Sequence, residues 1–359
     1  MSRVYNFGAG PSTIPLEVLK EAQANLVDFD GNGLSIMEAS HRSAMYDRVH
    51  NEAIELIREL YMVPDDYSVL FLQGGASMQF AMVPMNLYMG GKVEYADTGV
   101  WSQKAIKEAT IQGIEPTIVA SSKENGYRNI PKVEFGDDVD YCHITSNNTI
   151  YGTQYKEFPH TKAPLVVDAS SDIFSYLVDW SRVDMLYAGA QKNAGPSGVT
   201  IVIIKNSLLD RAKDTIPTML RYKTHADANS LYNTPPTFGI YMLNLTMKWL
   251  KSKGGIEAIS KINQQKANLL YDAIDSSNGF YVAHADKESR SLMNVSFNIK
   301  DGDADLEAKL VKATQDTGMI GLKGHRSVGG LRASIYNAMS IDGVETLVEL
   351  MEDFADQNR

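Results

Sequence analysis

Short apolar runs alternating with amphipathic stretches set the rhythm of this chain. Tyr67–Gln73, Lys92–Asp97, Glu115–Ala120, Asp140–Thr145, Pro164–Val167, Asp184–Ala190 and Val199–Ile204 each predict a buried strand. Helical patterns separate the earlier runs, as where Val49, Ala53, Leu56, Ile57 and Leu60 recur on one face. This alternation predicts an α/β fold, a mostly parallel sheet with helices on both faces and a ligand site at the carboxyl ends of the strands. Near the start, Ser12 or Thr13 is expected to cap a helix with Pro15 in its first turn, and Asn6–Pro11 reads as a turn. Beyond Ile204 the pattern changes. A long apolar-periodic helix runs through Trp249, with Thr234 expected as its N-cap and a proline at its first helical position. Gly254-Gly255 then breaks it, and a second helix spans about Ile256 to Ile274. Strands at Leu292–Ile299 and Leu331–Tyr336, with helices at Asp305–Thr317 and Gly343–Ala355, outline a smaller α+β lobe. Residues 16–255 are therefore expected to form a large domain, and residues 1–15 with 256–359 a small one.

Composition narrows the partners. Of 359 residues, 34 are Lys or Arg and 44 are Asp or Glu, a formal charge of −10 with no basic tract, which argues against nucleic acid. No apolar run approaches membrane-spanning length and no leader pattern opens the chain, so a cytoplasmic protein without a membrane partner is expected. The sole cysteine, Cys142, sits in the apolar run YCHIT and reads as a core residue. Seven scattered histidines lack metal-ligand spacing, and no metal is expected.

The strand ends carry the candidate chemistry. Lys192 follows the run Asp184–Ala190 at a corner before the small-residue turn Asn193–Gly198. An amine held there sheds hydration, which lowers its pKa and suits it to attack an aldehyde. Taken alone, it reads more readily as a lysine reaching out from a strand end, as most lysines do. Gly74-Gly75-Ala76-Ser77 lies between a strand and a helix, a geometry that cradles a phosphate, although a tight turn alone also wants glycine. Trp101 offers a flat face for stacking, or else covers a core edge. Asp168 ends the run Pro164–Val167, and a buried carboxylate facing the same pocket needs a cation such as a protonated pyridine nitrogen. Lysine, aspartate, tryptophan and phosphate-binding turn at one sheet edge together describe a pyridoxal-phosphate pocket. Two cationic stretches complete the set: His41-Arg42 before a helix, and Gly-rich Gly321–Arg332 with His325, Arg326 and Arg332, which suits a substrate bearing two anionic groups.

With these residues in place, the chain resembles the phosphoserine aminotransferase family, of the fold-type-I pyridoxal-phosphate enzymes. NFGAGPSTIP, SHRS, FLQGGASMQF, NNTIYGT, VVDASS, YAGAQKNAGPSG, YNTPPTF, KINQQKA and GHRSVGGLRASIYNA carry the resemblance over nearly the whole chain. It implies a fold-type-I large domain with a smaller α+β domain, and a homodimer whose active sites are shared between subunits. It implies pyridoxal 5′-phosphate held as an aldimine on Lys192, with Asp168 on the pyridine nitrogen and Trp101 stacked on the ring. Ala76, Ser77, Thr149 and Gln191 would also contact the cofactor, and Asn233 and Thr234 would reach its phosphate from the neighbouring subunit. His41, Arg42, His325 and Arg326 would hold the substrate's distal phosphate or carboxylate, and Arg332 its α-carboxylate. Some family members carry Gly-Arg where this chain has Ala76-Ser77, which removes one charge near the cofactor phosphate but leaves the backbone donors. The implied reaction is transamination of 3-phosphohydroxypyruvate by L-glutamate, in serine biosynthesis, with a related four-carbon phosphorylated keto acid of pyridoxine biosynthesis as a further substrate. A cysteine desulfurase or lyase is disfavoured because Cys142 sits in a predicted strand. A nicotinamide-dependent oxidoreductase is disfavoured because no G-x-G-x-x-G follows a strand. Another fold-type-I enzyme, such as a different small-acid aminotransferase, and a non-catalytic sensor of the cofactor or of a phosphorylated acid are the remaining alternatives.

Overall fold

A computed structural model describes residues 3–300 and 302–359. The seven apolar runs form β1 (Tyr67–Leu72), β2 (Val93–Asp97), β3 (Thr117–Ser121), β4 (Tyr141–Thr145), β5 (Leu165–Asp168), β6 (Met185–Gly189) and β7 (Thr200–Lys205). They pair in one sheet in the order β1-β7-β6-β5-β4-β2-β3. The sheet is mostly parallel, as expected, with one exception. Strand β7 runs antiparallel to both β6 and β1. The chain returns directly from β6 through a tight turn closed by Ala190 N–H donating to the Val199 carbonyl at 2.9 Å, and so short a connection only permits an antiparallel return.

Period-two alternation sends successive strand residues to opposite faces. Val69, Phe71, Val167, Leu186, Ile201 and Ile203 pack on one side. Leu70, Leu72, Val166, Tyr187, Val202 and Ile204 pack on the other. The first face is covered by α2 (Ala44–Tyr61) through Ala53, Leu56 and Ile57, and by Leu243 and Met247 of a later helix. The second face is covered by α3 (Gly75–Leu87) through Phe80 and Val83, and by α4 (Val100–Ile111) through Ala105 and Ala109. Each large aliphatic side chain buried this way contributes roughly 1.5–3 kcal/mol.

Two of the remaining helices begin without the caps expected of them. The first helix spans Leu16–Ala24, and neither Ser12 nor Thr13 caps it. The Ser12 hydroxyl donates to the Lys192 carbonyl and the Thr13 hydroxyl donates to the Asn6 carbonyl at 2.9 Å. Tertiary partners took both hydroxyls away from the helix end. The helix through Trp249 spans Thr237–Ser252 and starts after Pro236, with no side-chain cap from Thr234. Two consecutive prolines explain this, because a residue before proline is kept out of the helical region. The next helix spans Gly255–Ser276 and follows Gly254, whose φ is +91°. A three-stranded antiparallel sheet follows, made of Tyr281–Ala283, Asn294–Ile299 and Leu331–Ser334. Its core also holds Ala267 and Leu270 of the preceding helix, and Leu347 and Met351 of the last helix, Ile341–Asn358. Near the start of the chain, Tyr5–Asn6 pairs in parallel with Met319–Ile320 and joins this second group.

One buried cation ties the second group together. Lys266 is 0% exposed, and its Nζ donates to the carbonyls of Ile335, Tyr336 and Met339 at 2.9, 2.7 and 3.0 Å. Lys266→Met should cost about 3 kcal/mol, because three buried carbonyls lose their donor at once, and a chemical-denaturation curve checks it. Burial lowers the Lys266 pKa to about 7. The unfolded chain keeps this proton to about pH 10.4, so the lysine's contribution to stability grows as pH rises from about 7 to 10.4 and is lost on the way back down.

Candidate active site

The parallel strands deliver their carboxyl ends to one edge of the large sheet, and a cavity of about 220 Å³ opens there. Gly74, Ala76, Ser77, Trp101, Asp168, Gln191 and Lys192 line it, together with Thr145, Asn147, Ser170 and Ser171. A larger cleft of about 500 Å³ runs past Tyr5, Trp249 and Ile341, but contains none of the candidate cofactor or substrate residues.

Lys192 sits in the turn after β6, and its backbone is pinned from afar. Ser12 N–H donates to the Gln191 carbonyl at 2.9 Å and the Ser12 hydroxyl to the Lys192 carbonyl. On the other flank, the Asn193 side chain donates to the Ile173 carbonyl at 2.6 Å and accepts from Asn337 N–H at 2.9 Å. A methyl group built on Gly10 would lie 3.3 Å from Lys192 Cγ, so the opening turn closes directly on the lysine. Lys192 Nζ donates to Thr149 Oγ1 at 2.6 Å and lies 5.3 Å from the Trp101 ring centroid. Burial, the largest influence, brings its pKa down to about 8. The Asp168 charge pulls the other way, and the Arg332 charge adds to the lowering.

Asp168 ends β5 and is 4% exposed. Its Oδ1 accepts from Ser170 N–H at 3.0 Å and from the Ser170 hydroxyl at 2.6 Å. Burial raises its pKa, while the Ser170 bonds and the Lys192 charge oppose the rise. A carboxylate fixed so deeply, with an amine sharing its cavity, is suited to a further cation. At the cavity rim, α3 starts after Gly74, whose φ of +87° favours glycine and whose Cβ would meet Met78 Cβ at 2.6 Å. No side chain caps this helix, so the N–H groups of Gly75, Ala76 and Ser77 are open to an anion.

Arg332, on the strand Leu331–Ser334, reaches the same place from the second group. Its Nη1 donates to the Thr149 carbonyl at 3.4 Å, and its Nε is buried without a partner. Thr149 therefore touches both the amine and the guanidinium. His325 is half-buried and Arg326 exposed, in the loop leading to Arg332. Burial lowers the His325 pKa, with Arg332, Arg326 and Lys104 adding positive charge nearby.

Within one chain His41, Arg42, Asn233, Thr234, His325 and Arg326 do not line this cavity, and Thr149 and Arg332 adjoin it through the Thr149 bond to Lys192. His41 and Arg42 lie before α2, with Arg42 exposed and His41 Nε2 buried without a partner. Asn233 and Thr234 lie before the helix Thr237–Ser252, with Thr234 exposed. In turn, sequence reading passed over Asn147, Ser170 and Asp172. Ser170 had a legible signal, since Asp-x-Ser spacing allows the carboxylate to bond two residues ahead. Asp172 is pushed up to about 6 by burial and accepts from Gln154 and Tyr176, both at 3.1 Å; nothing local in the sequence marks it.

The site's contents fit pyridoxal 5′-phosphate. A partly desolvated amine, a buried carboxylate, a stacking ring and an uncapped helix N-terminus face one another across a space of suitable size. Comparison with known proteins agrees. The family model described as aminotransferase class-V matches residues 4–347. The phosphoserine aminotransferase of Campylobacter lari is 58% identical over 354 residues, which is 98% of this chain and 99% of that protein. A phosphoserine aminotransferase solved in a study of radiation damage to its Schiff base superposes with a TM-score of 0.97 at 52% identity, covering 99% of this chain and 100% of that one. The pyridoxal-phosphate-bound phosphoserine aminotransferase of Trichomonas vaginalis superposes with a TM-score of 0.93 at 38% identity, covering 98% and 100%. This chain therefore belongs to the aminotransferase class-V family, in its phosphoserine aminotransferase branch.

Proposed function

We infer that this protein transfers the amino group of L-glutamate to 3-phosphohydroxypyruvate, giving O-phospho-L-serine and 2-oxoglutarate, with pyridoxal 5′-phosphate carried covalently by Lys192. The observation that carries this reading is the cavity in which the Lys192 amine, its pKa near 8, faces buried Asp168, with Arg332 adjoining through Thr149 and its Nε unpartnered. Pyridoxal 5′-phosphate, when bound, supplies an electron sink for the charge left when the substrate's Cα loses its proton. Asp168 would hold the proton on the ring nitrogen, Trp101 would cover the ring and keep water out, and the N–H groups of Ala76 and Ser77 would take the phosphate. Gln191 and Thr149 would contact the cofactor, and Thr149 Oγ1, which accepts from Lys192 Nζ at 2.6 Å, orients the lysine amine. Lys192 Nζ, released once the substrate's amine has taken its place on the cofactor, would take the proton from the substrate's Cα as base and return it as acid, a task matched by its lowered pKa. Arg332 would bind the α-carboxylate with its unpartnered Nε and with Nη2.

The distal phosphate or carboxylate falls to His325 and Arg326, joined by His41 and Arg42. We assign the last two, with Asn233 and Thr234, to the site of a second subunit in a homodimer. Their stretches carry exposed apolar residues that a partner would cover: Met37 at 51%, Tyr232 at 51% and, beside Ser77, Met78 at 40% exposure. The division into a large domain of residues 16–255 and a small one of residues 1–15 and 256–359 follows the same reading, with Arg332 brought from one to Lys192 in the other. Serine biosynthesis is the natural setting, and the same site suits the four-carbon 3-hydroxy-2-oxo-4-phosphooxybutanoate of pyridoxine biosynthesis. A cytoplasmic location accords with a lone, buried, unpaired Cys142. Among the described residues no helix is long and apolar enough to cross a membrane.

The test is an assay of purified protein with glutamate and either phosphorylated keto acid. Formation of 2-oxoglutarate together with the phosphorylated amino acid is the expected result. A protein that binds the cofactor but turns over neither keto acid would refute the reading.

A further inference from the structure

We propose that Lys104 is a specificity-determining residue of this site, a cation that favours a doubly charged distal phosphate over a singly charged carboxylate. The inference rests on the amino-transfer reading above and adds one residue to it. Lys104 lies on α4, one turn beyond Trp101, and its Nζ sits 4.4 Å from the Trp101 ring centroid. The side chain takes this position although Glu108 follows at i+4 on the same helix, a spacing at which opposite charges can pair.

The wider charge pattern points the same way. The chain has a formal charge of −10 and most of its ion pairs form on its surface. Yet among the described residues none of Lys104, Arg326 and Arg332 has a carboxylate within 4.0 Å. All three are close enough to His325 for their charge to disfavour its protonation. Cations gathered without a counter-ion repel one another and are stabilised when an anion arrives. Arg332 is committed to the α-carboxylate, which leaves Lys104, Arg326 and His325 as the groups this subunit offers the distal group. Coulomb attraction scales with the product of charges, so each added cation helps a phosphate dianion more than a carboxylate. Lys104 is exposed, so this preference is open to screening by salt.

The experiment compares wild-type holoenzyme with Lys104→Met and Lys104→Arg. The Met variant should raise KM for the phosphorylated keto acid about tenfold and KM for glutamate about threefold or less, the loss falling on KM rather than kcat. Added salt should shrink the difference, and the Arg variant should restore most of it. Calorimetric binding of 3-phosphoglycerate, a phosphorylated acid with no keto group, should weaken by a similar factor in the Met variant. Equal KM changes for the two substrates, no change in either, or a loss confined to kcat would each overturn the proposal. Absence of transamination in the wild type would instead overturn the reading on which it rests.

Discussion

Lys192→Ala is expected to lower turnover by at least about 10⁴-fold and to remove the protein's visible absorbance band. General acid–base catalysis alone contributes about 10²–10⁴-fold, and this variant also loses the covalent attachment of the cofactor. The fold should survive. Burial of the amine opposes folding, since its pKa falls to about 8, so removing it relieves a cost and leaves the Ser12 bonds to the backbone in place. Thermal melting of the variant at or above the wild-type temperature would separate lost chemistry from lost structure. Turnover within tenfold of wild type would show that another group moves the proton.

Asp168→Asn should reduce kcat by about 10²–10⁴-fold with little change in structure, because the amide can still accept both Ser170 bonds on one oxygen. What disappears is the charge. On the proposed mechanism the ring nitrogen would lose the group that keeps its proton, and the cofactor would be a weaker electron acceptor. A second consequence can be read without turnover. In the cofactor-free protein the Asp168 charge raises the Lys192 pKa, so its removal should move the amine's titration from near pH 8 to lower pH. Arg332→Met should move it the other way, because that positive charge lowers the pKa. Rates of amine modification against pH report both midpoints. A shift to higher pH in the Asn variant would mean that the carboxylate does not act on the amine.

How much of this was legible in the sequence depended on the range of each interaction. The strands were readable because their apolar runs are local, and Lys192, Asp168 and Trp101 were readable because a parallel sheet brings strand ends to one edge. Even the antiparallel course of β7 had a local mark, the short gap between Gly189 and Thr200, which leaves no room for a crossover helix. Ser12 is another matter. Its hydroxyl reads as a helix cap from its neighbours, yet it serves a carbonyl 180 residues away. The same holds for Asn193 and Asn337, separated by 144 residues, and for Thr149, whose contacts lie 43 residues off at Lys192 and 183 at Arg332. Sequence spacing encodes periodicity, not such closures. Thr234 failed for a different reason: a preference for capping is weak beside the steric exclusion imposed by Pro235-Pro236.

The most direct test of the central claim is to fix the cofactor where it binds. Borohydride reduction of the purified holoenzyme, followed by proteolysis and mass spectrometry, should place a single pyridoxyl group on the peptide that contains Lys192 and on no other lysine. Recovery of that peptide unmodified, with the label on another lysine or lost altogether, would contradict the account.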